Sequence, residues 1–238
     1  MAVQTRPLVY EAPGGTFEGV VAWDDAVAEP RPGVLVSHNW MGQDDFDVGK
    51  ARALAELGYV GFAIDMFGQG RRATNTDEAM ALAGELGSDR AVLQARINRA
   101  LELLREQDEV DASRTAAIGF CLGGKCVLDL ARSGADVDGV VSFHGVFDAP
   151  PFPNRKITAK VLVLHGFDDP LATPEQTVAL GHELTEAGAD WQIHIYGNTS
   201  HAFTDPHADN PEFGLRYKES ADKRSWRMMR DFLEELWS

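Results

Sequence analysis

The sequence predicts an α/β fold with a mostly parallel central sheet and helices on both faces. Three observations predict it. Short apolar runs bounded by turn residues alternate with stretches of helical spacing along the chain. Runs such as GVLVS at 33–37 and KVLVLH at 160–165 are continuously apolar, as strands become when helices cover both sides of a sheet. One strand-like run, 115–119, passes through a glycine-framed residue straight into helical sequence, a junction that places that residue at the carboxyl edge of a parallel sheet.

The elements follow in order. Residues 8–12 and 16–23 flank Pro13-Gly14-Gly15 and read as an opening hairpin. After the strand at 33–37, residues 47–57 carry Val48, Ala51, Ala53, Leu54 and Leu57 at helical spacing and stop at Gly58. Residues 59–64 (YVGFAI) form the next buried strand. The stretch 65–87 is less regular, with a loop at Gly68-Gln69-Gly70-Arg71-Arg72 and a short helix at 76–86. A longer helix covers 89–107, then strand 115–119, helix 122–132 and strand 137–144. Pro150, Pro151 and Pro153 mark a loop, followed by strand 160–165, helix 174–187, strand 191–196 and a last helix over 217–237. The alternation continues across Pro153, so 1–238 reads as a single domain.

A chain of 238 residues buries a sizeable core without metals or disulfides. The formal net charge of -15 opposes binding to nucleic-acid phosphates and to anionic membranes. Residues 1–7 hold no apolar run of a signal peptide, and no stretch approaches the roughly 20 apolar residues of a membrane span. Cys121 and Cys126, five apart in helical sequence, are poorly placed to bridge each other. These features point to a cytoplasmic protein with reduced thiols, a monomer or homodimer that takes a small molecule as its partner, with no nucleic acid and no membrane.

The segment Gly119-Phe120-Cys121-Leu122-Gly123-Gly124 carries the most chemistry. A nucleophile held on a tight strand-to-helix turn needs glycines beside it, because side chains there collide with backbone. The turn sets the thiol at a helix N-terminus, where the dipole favours thiolate, and offers the Leu122 backbone N–H to an oxyanion. Cys126 lacks this frame and reads as a core residue. The stretch 119–126 (GFCLGGKC) also approaches a phosphate-binding loop, but a thiol in place of the final hydroxyl is a poor ligand for Mg²⁺. Lys125 then reads as a solvated helix residue.

Asp168 and Asp169 lie just beyond the strand at 160–165, on the ligand-binding edge of such sheets, and the frame Gly166-x-x-Asp169-Pro170 favours Asp169. Of the histidines, His38, His144 and His165 also sit near strand ends, but His201 alone completes the order nucleophile, acid, histidine. The imidazole moves protons, the carboxylate fixes its tautomer, and the thiolate forms an acyl-enzyme.

These pieces, with Ser200-His201-Ala202-Phe203, Asp65-Met66-Phe67-Gly68 and the segment 37–42, resemble the dienelactone hydrolase family of α/β-hydrolases. The resemblance spans most of the chain. It implies cofactor-free hydrolysis of esters or lactones, no metal, and the Trp40 backbone N–H as second oxyanion donor. Two positions depart from the family pattern. Asn39 stands where a glutamate tied to thiol ionisation is usual, and Asp205 stands near where an arginine pairs with an anionic lactone. An acidic residue there repels a carboxylate, so the expected substrate is a different, neutral ester or lactone. Asn39, Arg71 or Arg72, and Phe203 are the candidate substrate contacts, with Trp40, Phe67 and Phe147 as further lining and Phe143 as core. The competing readings are a non-catalytic ligand-binding protein on a hydrolase fold, a redox-sensing thiol protein, and a metal site at His165, Asp169 and His201.

Overall fold

The computed structural model describes residues 3–238. The chain packs as two compact units, one ending at Ile118 and one beginning at Gly119.

In the first unit, β1 (Val3–Ala12) and β2 (Gly15–Asp24) form the expected antiparallel hairpin, paired from Val3↔Asp24 to Ala12↔Gly15. Next come β3 (Arg31–Ser37), α1 (Asp45–Glu56), β4 (Val60–Ile64), α2 (Thr76–Ser88), α3 (Arg90–Arg105) and β5 (Val110–Phe120). The strand order is β1-β2-β4-β3-β5. β3 and β4 run parallel, and every residue of both is buried, which accounts for their unbroken apolar sequence.

Local chemistry sets the helix starts. Asp44 and Asp47 form a reciprocal capping box on α1, which gives the buried Asp47 carboxylate a partner at the Asp44 N–H, 3.1 Å away. Asp89 accepts from the Ala91 and Val92 N–H groups and divides α2 from α3, the two helices expected at 76–86 and 89–107. β5 starts five residues earlier than periodicity indicates. After the buried Val110, residues 111–114 are exposed or half-exposed, with Asp111 bonded to Ser113 and Arg114, so they carry no run of apolar residues.

In the second unit, α4 (Leu122–Arg132), β6 (Gly139–Phe143), β7 (Lys160–Gly166), α5 (Pro174–Glu186) and β8 (Trp191–Tyr196) alternate as expected. β6, β7 and β8 are parallel neighbours. Thr173 and Gln176 form a capping box on α5 with Pro174 in its first turn. The last helix, α6 (Glu219–Leu236), buries Ala221, Ser225, Met229, Phe232 and Leu233 along one stripe. Two short strands before it, β9 (Asp209–Asn210) and β10 (Leu215–Arg216), enclose a 3-10 turn at Pro211–Phe213. This small hairpin is absent from the sequence reading. Among the described residues, no helix is long and apolar enough to cross a membrane.

Candidate active site

Cys121 follows the last residue of β5 and precedes α4, with φ 55° and ψ -114°. A β-carbon pays for such a conformation unless the surroundings hold it. A Cβ on Gly119 would strike the Gly123 carbonyl oxygen, and one on Gly124 would strike the Ser142 hydroxyl and the Gly145 backbone. Glycine is therefore required at 119 and 124 for β5, the turn and α4 to pack this closely. The Cys121 N–H is shared between the Phe143 carbonyl (3.0 Å) and Nδ1 of His144 (3.2 Å). Neither cysteine is in a disulfide; Cys121 is half-buried and Cys126 fully buried.

Asp169 lies in the turn after β7, where its N–H returns to the Gly166 carbonyl. Its carboxylate is buried with both oxygens engaged. Oδ1 accepts from the Leu171 N–H at 2.8 Å and Oδ2 from Nδ1 of His201 at 2.7 Å. The Asp168 N–H bonds the Thr199 carbonyl, and the residue is exposed, unlike the buried Asp169.

His201 is 1% exposed. The short hairpin before α6 holds its loop. The Arg216 N–H bonds the His201 carbonyl, the Lys218 N–H bonds the Phe203 carbonyl, and Gly214 lies against the Pro170 ring. Because Nδ1 is given to Asp169, Nε2 is the ring nitrogen left for Cys121. Burial is the largest influence on the ring and disfavours imidazolium. The negative charges of Cys121 and Asp169, and hydrogen bonding to both, outweigh it and raise the ring to about 10.

The other histidines near strand ends are structural. His165 bonds the Ala172 carbonyl through Nε2, its Nδ1 stands 3.9 Å from Asp169, and burial lowers it. His38 accepts the Met66 N–H at Nε2, so Nδ1–H donates to the Asn39 carbonyl, and burial lowers it to about 4. His144 stands apart. It is buried at φ 38°, touches the Cys121 amide, and packs edge-on against His201 with ring centroids 5.1 Å apart. Nothing local in the sequence distinguishes it from His38 and His165, because its ties reach residues 121 and 204.

The expected substrate contacts fare differently. Asn39 accepts the Met41 N–H at its own Oδ1, closing a turn that holds the half-buried Trp40. Arg71 is clamped to both oxygens of Glu85, at 2.9 and 2.5 Å, and to the Phe67 carbonyl. Arg72 is bonded to Gln43 and the Arg71 carbonyl, with Asp65 3.4 Å away. Phe203 is completely buried, edge-on to His144 and Tyr196, and so packs as core beneath the histidine loop. Lys125 is not a solvated residue. Its side chain is 12% exposed and paired with Asp148 at 2.7 Å. Among the described residues, no three His, Cys, Asp or Glu side chains gather to hold a metal ion.

The sequence matches the profile of the dienelactone hydrolase family over residues 17–237. A solved structure designated m3DLH is 39% identical, with full coverage of both chains and a TM-score of 0.95. A dienelactone hydrolase-like promiscuous phosphotriesterase from metagenomic libraries is 36% identical, again with full coverage, at a TM-score of 0.91. A Yersinia pestis protein named as a carboxymethylenebutenolidase is 24% identical over 93% of this chain and 85% of its own. The fold is that of the α/β-hydrolases.

Proposed function

The chain belongs to the dienelactone hydrolase family and is a hydrolase, and from that premise we propose that it cleaves a neutral carboxylic ester or lactone through a thioester on Cys121. The observation that carries this reading is the buried Asp169–His201 pair, whose imidazole is raised to about 10 in part by the charge of Cys121. Asp169 engages Nδ1 and leaves Nε2 as the ring nitrogen that can exchange protons with the nucleophile.

Thiolate attack on the carbonyl carbon forms the C–S bond and places charge on the carbonyl oxygen. The Leu122 N–H, at the first position of α4, is the donor proposed for that oxyanion. Collapse breaks the ester C–O bond, and Nε2 of His201 gives its proton to the departing alkoxide. In a lactone the released hydroxyl stays tethered to the acyl group. His201 then takes a proton from water, the hydroxide adds to the thioester carbon, and collapse expels the thiolate beside the re-formed imidazolium. Asp169 holds Nδ1–H throughout, so that Nε2 alone exchanges protons.

Substrate neutrality rests on the commitments of the cations. Arg71 and Arg72 are spent on internal partners, and Asp205 brings negative charge to the loop after His201. The likeness to a promiscuous phosphotriesterase favours a second reading. In it the thiolate attacks a neutral phosphate triester and expels the aryloxide. A panel of neutral p-nitrophenyl esters, lactones, dienelactone and a p-nitrophenyl phosphate triester tests both readings. Turnover of neutral esters or lactones, lost in Cys121→Ala and weaker on dienelactone, is the expected result. Equal turnover by folded Cys121→Ala overturns the nucleophile, and preference for dienelactone overturns the neutral substrate.

A further inference from the structure

We propose that His144 is a positioning residue, which ties the nucleophile turn to the histidine loop as a neutral ring protonated at Nε2. The inference deepens the hydrolase reading and rests on it for the identity of the reacting groups.

Two hydrogen bonds fix the tautomer. The Cys121 N–H, shared with the Phe143 carbonyl, donates to Nδ1 of His144 at 3.2 Å, so Nδ1 must carry its lone pair. The ring proton therefore sits on Nε2, which donates to Oγ1 of Thr204 at 2.8 Å. Both His144 and Thr204 are buried, at 2% and 1% exposure, so neither bond is replaced by water. The two ends lie on different segments. Cys121 immediately precedes α4, whereas Thr204 follows His201 by three residues, 60 positions from His144 in the chain.

The ring also fills the space between those segments. Its centroid lies 5.1 Å from His201, at 66° between planes, and 5.1 Å from Phe203, at 80°. Three backbones in this region sit at positive φ, namely Cys121 (55°), His144 (38°) and Ala202 (56°). Such conformations relax unless neighbours hold them. His144 contacts the first directly, is the second, and reaches across the third through Phe203 and Thr204. It touches neither the reacting carbonyl nor the exchanging proton in the proposed reaction. Its work is to keep the sulfur and Nε2 of His201 facing one another.

Three substitutions in the full chain separate this role from packing. His144→Phe keeps the ring volume and loses both polar bonds. His144→Asn places an amide oxygen near the Nδ1 position, keeps an acceptor for the Cys121 N–H, and tolerates positive φ. Thr204→Val removes the acceptor for Nε2–H at nearly constant volume. Two readouts apply to each folded variant. The first is the split between kcat and KM on the best neutral ester. The second is the rate of Cys121 alkylation by iodoacetamide, which needs no substrate. Lys125 separates the two cysteines, so trypsin places Cys121 and Cys126 on different peptides and mass spectrometry scores them independently.

His144→Phe is expected to lower kcat by about tenfold, the scale of one or two buried neutral hydrogen bonds, with KM within about twofold and Cys121 alkylation slowed in parallel. His144→Asn recovers part of both losses. Thr204→Val lowers kcat less, and adds nothing in the His144→Phe background because the bond is already gone. Wild-type kcat and alkylation in folded His144→Phe would overturn the proposal. So would equal losses in His144→Asn and His144→Phe, since a purely steric role predicts no recovery from a smaller amide. If the wild-type protein turns over no ester but the alkylation pattern holds, the positioning role stands and the hydrolase reading falls.

Discussion

Replacing Asp169 by asparagine changes one charge and almost no volume, and its consequences follow from two distances. Oδ1 accepts the Leu171 N–H at 2.8 Å and Oδ2 accepts Nδ1–H of His201 at 2.7 Å. An amide has one oxygen, so the variant satisfies one of these donors and confronts the other with an NH₂ group. If the oxygen turns to Leu171, the NH₂ forces Nδ1 of His201 to accept, and the ring proton moves to Nε2. That tautomer has no lone pair with which to take a proton from water. If the oxygen turns to His201, the tautomer survives but the Leu171 amide is orphaned and the charge is gone. The charge-assisted bond alone accounts for about 1.5–3 kcal/mol, or roughly 10- to 100-fold in rate. The wrong tautomer extends the loss to roughly three to four orders of magnitude in kcat. Loss of the negative charge also lowers His201 from about 10, because burial then meets less opposition. Cys121 alkylation at neutral pH slows accordingly. The assay is steady-state hydrolysis of a p-nitrophenyl ester beside iodoacetamide labelling, with thermal unfolding as the control for folding. Melting should fall by about 2–4 °C, the shift that one buried hydrogen bond gives in a chain of this size. A kcat within fivefold of wild type in a folded Asp169→Asn protein would refute the reasoning.

Other predictions rest on separate observations. Gly119→Ala sets a methyl group against the Gly123 carbonyl, and destabilisation by about 1–3 kcal/mol is expected from overpacking; unchanged thermal unfolding would contradict the packing described for the turn. Arg71→Ala breaks an ion pair whose side chains are 42% and 55% exposed, so stability should change by less than about 1 kcal/mol and kcat/KM on neutral esters by less than about twofold; a large loss of kcat/KM would return Arg71 to substrate binding. Thr173→Ala removes half of the α5 capping box, and chemical denaturation should register about 1 kcal/mol with no change in kcat.

The parts of this fold that were legible in sequence are those where local chemistry decides. β3, β4 and β7 are buried along nearly their whole length and read as apolar runs. α5 announces itself with Thr173, Pro174 and Gln176. The turn at Cys121 is visible because each glycine in it answers a steric demand within a few residues. What stayed hidden depends on partners distant in the chain. Arg71 meets Glu85, Lys125 meets Asp148, and His144 meets Thr204, and nothing in the spacing of either member selects the other. β9 and β10 are too short for any period to show, although Pro211 and Gly214 mark the turn that lies between them. Phe203 was expected beside substrate because it follows the histidine motif. Residues two apart on a turned loop need not share a face, and its ring points into the core.

The raised His201 carries a requirement for the second half of the proposed reaction. An imidazole at about 10 holds its proton at neutral pH and cannot serve there as a base for water. The two demands are compatible because one of its supports is transient. The charge on Cys121 is the largest influence raising the ring, and a thioester sulfur carries no charge. On acylation that support and the hydrogen bond to sulfur both vanish, leaving Asp169 alone against burial, so His201 falls and becomes able to accept a proton. Decay of the acyl-enzyme should therefore rise with pH, since deprotonation creates the base, and should level off well below pH 10. The measurement is single-turnover decay of acylated Cys121 between pH 5 and 10.5, quenched in acid and read by mass spectrometry of the peptide that ends at Lys125. A decay rate still climbing through pH 10 would mean that His201 keeps its proton without the thiolate. The switch from acid to base would then have to come from somewhere other than the charge on Cys121.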